Sequence, residues 1–335
     1  MSGRHRVRRP VWTAAVWLSA VGAVAAIAAA TLMGGSNGER PRASTSPDVP
    51  PRLALLIVRS APGPLLAVVA AGTGSTPVAV VVPATVALTI PGQGDGRVMD
   101  AAELPAPEAV LAISNLLGVW IPHVVVTDTT RLAGVVDRAG GVEAFGSTQS
   151  GDQIAQALDR SNPARALTWR QLLQGLFAVG PSWSSEDFSE ADDAGAVAVL
   201  LEEAQGAVVR SMPTERATAG YLVPDPAALT LLVAEDLGGS STPPIPVVVL
   251  NGSGAPGVGR SVAERLIPAG FRVSISENAS SFDHDTTLVV AGTAADQPAA
   301  ERVQELLGVG TVSVAGVPSG LGDVTIVVGK DYQTE

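Results

Sequence analysis

From residue 52 onward, short unbroken apolar runs alternate with longer stretches in which apolar residues recur every three or four positions. Residues 53–58, 64–71 and 77–82 are Val, Ala and Leu runs bounded by Pro and Gly, the pattern of buried strands. Helical spacing follows at 106–117, 130–139, 151–158, 167–178, 191–209 and 226–236, with a short strand at 124–126 between the first two. Such alternation predicts an α/β architecture in which helices cover a sheet. Residues 238–244, Gly-Gly-Ser-Ser-Thr-Pro-Pro, read as a linker between a domain at 52–237 and a second one at 245–332. The second is a small α/β unit, near the minimum size for a core of its own. Its strands are expected at 246–250, 272–275, 287–291, 312–314 and 324–328, and its helices at 258–266 and 297–307.

The first 51 residues follow a different pattern. Arg4, Arg6, Arg8 and Arg9 precede residues 11–33, which contain no charged group. At 1.5 Å per residue that run is about 35 Å long, enough to cross a hydrocarbon core of about 30 Å. It predicts a retained transmembrane helix in the cell membrane, with residues 1–10 as a basic cytoplasmic tail and the domains extracytoplasmic. A cleaved signal peptide is the rival reading, although its apolar part is usually only about 7–15 residues. Residues 34–51, rich in Gly, Ser and Pro, read as a flexible stalk. Arg59, Pro62, Pro64 and Pro83 interrupt the later apolar runs before any reaches spanning length.

Charge and composition narrow the chemistry. The net charge is −11, and the part beyond residue 34 carries −15 because the first 34 residues hold four Arg and no acidic residue; Lys330 is the only lysine, so nucleic acid is not expected as a partner. Without cysteine there is no disulfide, thiolate nucleophile or Cys-ligated metal. Gly252-Ser-Gly254-Ala-Pro-Gly257 has the spacing of a dinucleotide fingerprint, but a unit of this size lacks the two mononucleotide halves, so a glycine-rich strand-to-helix turn is expected. In Asp283-His284-Asp285, adjacent side chains of an extended loop point apart, so a solvated loop is favoured over a metal site. His123 has no carboxylate close in sequence and reads as a packing residue. Glu186, Asp187, Glu190, Asp192 and Asp193 read as a solvated helix start. Serine hydrolysis is not expected, because only His123 and His284 could serve as its base outside the membrane.

Several motifs carry a family resemblance. Val-Leu-Asn-Gly-Ser-Gly at 249–254 with Gly257, Ala269-Gly270-Phe271-Arg272-Val273, Thr286-Thr287 and Val328-Gly329-Lys330-Asp331-Tyr332 resemble the LytR C-terminal domain that accompanies LytR-CpsA-Psr envelope proteins. Asn251, Gly252, Gly254, Gly257 and Asp331 are its motif positions here. Upstream, Leu88-Thr89-Ile90-Pro91-Gly92, Val125-Val126-Thr127-Asp128, Val136-Asp137-Arg138-Ala139-Gly140-Gly141-Val142 and Arg170-Gln171 resemble, in order, the catalytic domain of that family.

The resemblance implies transfer of a glycopolymer from a polyprenyl pyrophosphate carrier to the cell wall, assisted by Mg²⁺, with arginines and carboxylates about the diphosphate. At the family's Pro-Arg-Asp strand end this chain reads Pro83-Ala84-Thr85. Its earlier Arg and Asp segment corresponds to Ala61-Pro62-Gly63-Pro64, and Leu167 stands where a further arginine is expected. Each lost contact would remove about 2–4 kcal/mol of transition-state stabilisation, so no transferase activity and no cofactor are expected. Arg138, Arg165, Arg170, Gln171 and Asp137 remain as candidates for residual ligand binding. Asp95, Asp100, Asp128 and Asp137 are the substitutes for a metal site, with loop and helix-end carboxylates the commoner case. The expected function is a membrane-anchored, non-catalytic binding or scaffolding protein of envelope assembly. The alternatives are an active Mg²⁺-dependent phosphotransferase, and a module whose C-terminal domain recruits other envelope proteins.

Overall fold

The computed structural model describes residues 52–72, 76–161, 165–217, 221–315 and 320–333. The expected tail, membrane helix at 11–33 and stalk lie outside the described residues. Among the described residues no helix is long and apolar enough to cross a membrane.

The described residues open with β1 (Arg52–Arg59), β2 (Leu65–Ala71) and β3 (Val78–Val82), a meander of antiparallel neighbours. A hairpin, β4 (Ala87–Ile90) and β5 (Gly94–Arg97), leads into α1 (Val98–Ala102) and α2 (Ala106–Leu117). Next come β6 (His123–Asp128), α3 (Thr129–Arg138), a second hairpin of β7 (Val142–Ala144) and β8 (Ser147–Gln149), α4 (Gly151–Leu158) and α5 (Arg165–Val179). Then follow β9 (Glu190–Ala191), α6 (Ala194–Glu203), β10 (Val208–Ser211), β11 (Thr214–Arg216), β12 (Leu222–Pro224) and α7 (Pro226–Asp236). The main sheet has the order β10-β3-β2-β1-β6-β9, with β6 parallel to β1 and β10 parallel to β3.

The period of two along β1 divides the core. Leu53, Leu55 and Ile57 pack on one face with Ile113 of α2 and Leu229 of α7. Ala54, Leu56 and Val58 face the opposite way, toward Leu132, Leu172, Phe177 and Val197 from α3, α5 and α6. Both faces are thus covered, which is why the strands read as continuous apolar runs.

Where the sequence suggested one helix over 191–209, the structure has α6 and then strand β10. Gly206, at φ 79°, stops helical continuation, and its N–H bonds the Phe177 carbonyl 2.8 Å away. The chain then turns parallel to β3. In the β4–β5 and β7–β8 hairpins, β5, β7 and β8 carry no apolar run, and the alternation in β4, with Leu88 and Ile90 buried, spans only four residues.

The second sheet comprises β13 (Ile245–Asn251), β14 (Phe271–Asn278), β15 (Leu288–Ala291), β16 (Thr311–Val314) and β17 (Val324–Val328), in the order β14-β13-β17-β15-β16. Only β15 and β17 pair antiparallel in it. Helices α8 (Val258–Leu266) and α9 (Gln297–Leu307) cover it through Val262, Leu266, Val303 and Leu307.

The two sheets are joined by more than the chain between them. Leu111 of α2 is buried within the apolar cluster of the second sheet. The Asn115 amide docks on the outer edge of β14: Oδ1 accepts from the Val273 N–H at 2.8 Å, and Nδ2 donates to the Val273 carbonyl at 2.9 Å. Thr89 Oγ1 donates to the Ser274 carbonyl at 3.0 Å, and the Gly92 N–H to Ser276 Oγ at 2.7 Å. Arg260 of α8 reaches Glu108 of α2 at 3.2 Å.

Candidate functional site

The positions at which the resemblance implies diphosphate chemistry lie at strand ends and helix starts. After β3, Pro83-Ala84-Thr85 forms a turn whose Ala84 carbonyl accepts from the Met99 N–H at 2.9 Å. It presents no charged group. The loop after β1 is likewise uncharged between Ser60 and Pro64, and is held from α5 by Arg165. The Arg165 Nη2 donates to Ser60 Oγ and to the Gly63 carbonyl, and Nε donates to the Leu158 carbonyl at 3.2 Å. Burial pulls this guanidinium below its ordinary pKa, opposed by the charge of Asp159. Its donors are directed at the protein's own loop. Beside it, Trp169 is buried under the sheet with its indole N–H on the Leu66 carbonyl at 3.1 Å.

Arg138 also serves the fold. Its Nη2 donates at 2.6 Å to both oxygens of Asp187, a buried carboxylate that additionally accepts from the Ser184 N–H and hydroxyl. Asp137 Oδ1 accepts from Gly151 at 2.7 Å, on the first turn of α4. Arg170 and Gln171 lie on the exposed side of α5, and among the described residues neither has a hydrogen-bond or ion-pair partner. Arg138, Arg165 and Arg170 share no partner, so they form no clamp.

The carboxylates considered for a metal are dispersed. Asp100 accepts from the Arg97 N–H at 2.9 Å, Asp128 caps α3 through the Arg131 N–H at 2.8 Å, and Asp95 sits on the β4–β5 hairpin. Among the described residues no group of three or more His, Asp or Glu is disposed to hold a metal ion. The four carboxylates therefore provide no clustered site for Mg²⁺.

His123 is not a lone packing residue: its Nδ1 lies 3.1 Å from Asp192 Oδ2, a partner 69 positions away. Burial works against the charge on Asp192 but is outweighed by the Val124 N–H, by His123 and by the Asp193 backbone N–H, which together hold the carboxyl below its usual range. The acidic segment 186–193 is a solvated helix start only in part, with Glu186, Asp192 and Asp193 exposed. Asp187 is buried against Arg138, and Glu190 accepts from the Ala106 N–H at the start of α2. Only Asp193 caps the helix that follows, through the Ala196 N–H at 2.9 Å.

The C-terminal motif residues shape loops. Asn251 Oδ1 accepts from Ser253 and from the Gly254 N–H at 3.0 Å, while Nδ2 donates to the Ala255 carbonyl at 2.9 Å. A Cβ on Gly252 would lie 2.7 Å from the His284 ring, and Gly254, at φ 74°, backs onto Phe282. Gly257, at φ 78°, opens α8. Asp331 Oδ1 accepts from the Thr287 N–H and hydroxyl at 2.8 and 2.7 Å, and Lys330 pairs with Asp285. These residues tie the turn after β13 to the segments 284–287 and 329–332.

Sequence reasoning missed a groove beside the β7–β8 hairpin. Its volume is about 650 Å³, and Phe145, Gln171, Gln174, Gly175 and Ala178 contribute to its lining. Phe145 has φ 56° and is the only non-glycine residue with positive φ among the described residues.

Residues 244–332 match the family model described as LytR cell envelope-related transcriptional attenuator. No curated sequence matches the chain. Solved structures that align with it include TagT of B. subtilis, at 16% identity and TM-score 0.46 over 62% of this chain and 99% of that one. TagV of B. subtilis aligns at 14% identity and TM-score 0.44 over 55% and 94%. The LytR-Csp2A-Psr enzyme from Actinomyces oris aligns at 15% identity and TM-score 0.45 over 56% and 90%. A further alignment, at 16% identity and TM-score 0.45 over 61% and 98%, is with TagT carrying bound octaprenyl pyrophosphate lipid. The chain thus carries, at residues 244–332, a LytR C-terminal domain, as its own motifs indicated.

Proposed function

We propose that this chain is a membrane-anchored, extracytoplasmic protein of cell-envelope assembly, whose upstream domain is a LytR-CpsA-Psr relative that binds glycopolymer without transferring it. The carrying observation is the chemistry of the strand ends. Pro83-Ala84-Thr85 and the loop from Ser60 to Pro64 offer neither a carboxylate for a metal nor an arginine for a pyrophosphate. The nearby Arg165 is spent on that loop, and Arg138 neutralises Asp187. Transfer from a pyrophosphate carrier needs such groups where negative charge shifts to the leaving group. The LytR C-terminal domain supports the envelope setting, and the basic N-terminus before an uncharged run supports the anchor.

The test is binding of the full chain to purified wall fragments and to polyprenyl-linked glycans. Saturable binding to at least one is expected, and binding to none by folded protein overturns the proposal. In parallel, turnover of a pyrophosphate-linked donor with Mg²⁺ that is lost in Asp137→Ala or Arg170→Ala would establish a transferase instead.

A further inference from the structure

The groove along α5 has the features of a sugar subsite. Phe145 opens the two-residue turn between β7 and β8 in a left-handed conformation that Asn or Gly would adopt without strain. Instead of a small polar residue the turn carries an aromatic ring, 43% exposed. Strain of this kind is retained where the side chain has a use. Facing it on α5 are Gln171 and Gln174, two exposed side-chain amides without hydrogen-bond partners among the described residues. The floor is kept shallow by Ala144, Gly175 and Ala178. Gly175 is obligatory, because a Cβ there would lie 2.3 Å from the Glu143 carbonyl oxygen and push the hairpin off the helix.

We propose that this groove binds a neutral pyranose unit of a glycan, which deepens the function proposed above and rests on it. A pyranose ring presents C–H groups on its face and hydroxyls around its edge. The negative face of the Phe145 ring suits the first. A primary amide, donating through NH₂ and accepting through its carbonyl, suits a pair of neighbouring hydroxyls. Among the described residues no Arg or Lys lines the groove, which disfavours a phosphate, and the one carboxylate there, Glu143, accepts from the Thr148 hydroxyl. An acyl chain would want an enclosed apolar cavity, which this open groove is not.

The test is a titration of the purified full chain with chitotetraose and with cellotetraose, followed by saturation-transfer NMR. Millimolar or tighter binding of at least one is expected. Phe145→Asn keeps the turn and removes the platform, so it should weaken binding by about tenfold with an unchanged or higher Tm. The double variant Gln171→Ala/Gln174→Ala should weaken binding similarly. Equal affinity of Phe145→Asn and the unaltered chain overturns the proposal, as does absence of binding up to about 10 mM. If Phe145→Asn also binds polyprenyl-linked glycans undiminished, the groove assignment falls while the glycopolymer function stands. If the unaltered chain binds no glycan of any kind, both fall.

Discussion

Arg138 shows how a residue singled out by motif can be claimed by the fold. Its guanidinium is half exposed, yet it neutralises the buried Asp187. Arg138→Ala should therefore cost about 1–3 kcal/mol in urea unfolding, because the carboxylate keeps only its contacts to Ser184. Phe145→Asn should act oppositely, raising stability by about 1 kcal/mol through relief of the left-handed backbone. Two aspartates should respond to pH with opposite signs. Asp192 titrates below its usual range in the folded chain, so its contribution is complete above the unfolded pKa, near 3.9, and is lost as pH falls through the folded value. Asp236 is raised by burial, which the charge of Arg210, 3.2 Å away, offsets only in part. Its contribution is present at low pH and is lost as pH rises through its folded value. Asp236→Asn is accordingly expected to raise neutral-pH stability, whereas Asp192→Asn lowers it, in urea titrations at pH 7 and pH 4. None of these pairings was legible in the sequence, since Arg138 and Asp187, or His123 and Asp192, are separated by 49 and 69 positions.

Elements with strong periodicity were legible to the residue. Ala106–Leu117, Gly151–Leu158, Pro226–Asp236 and Val258–Leu266 begin and end where apolar spacing and terminal signals place them. Pro near the start of α2 and α7 and the left-handed Gly118 after α2 supply those signals. The short hairpins were not legible, because three- and four-residue strands are too short for alternation to stand out, even in β4, where buried Leu88 and Ile90 alternate with Ala87 and Thr89. The groove lies against one of them and was hidden for the same reason. What brings α5 close to β7 is a single glycine. Gly175→Ala should cost about 1–3 kcal/mol by overpacking and abolish oligosaccharide binding together with it. Asn115 is the corresponding element on the other side of the domain. Asn115→Ala leaves the Val273 N–H and carbonyl without partners in a buried setting, for a cost of about 2–3 kcal/mol. Limited proteolysis within 238–244 should accelerate in that variant as the second sheet loosens from the first.

At the scale of the molecule, the α/β class was readable from the alternation of elements, but the manner in which the two sheets meet was not. Residues 238–244 read as a flexible tether by composition, whereas the contacts that couple the sheets come from Leu111, Asn115, Thr89 and Gly92, far upstream. The same upstream residues cover the free edge of β14. A fragment beginning at residue 244 would expose that edge, with Val273 and Ser274 again offering hydrogen bonds to any passing strand. Sedimentation of such a fragment should reveal concentration-dependent self-association that the intact chain does not show. On that expectation the upstream domain serves as an intramolecular chaperone for its neighbour: it keeps a sticky surface from finding another copy of itself.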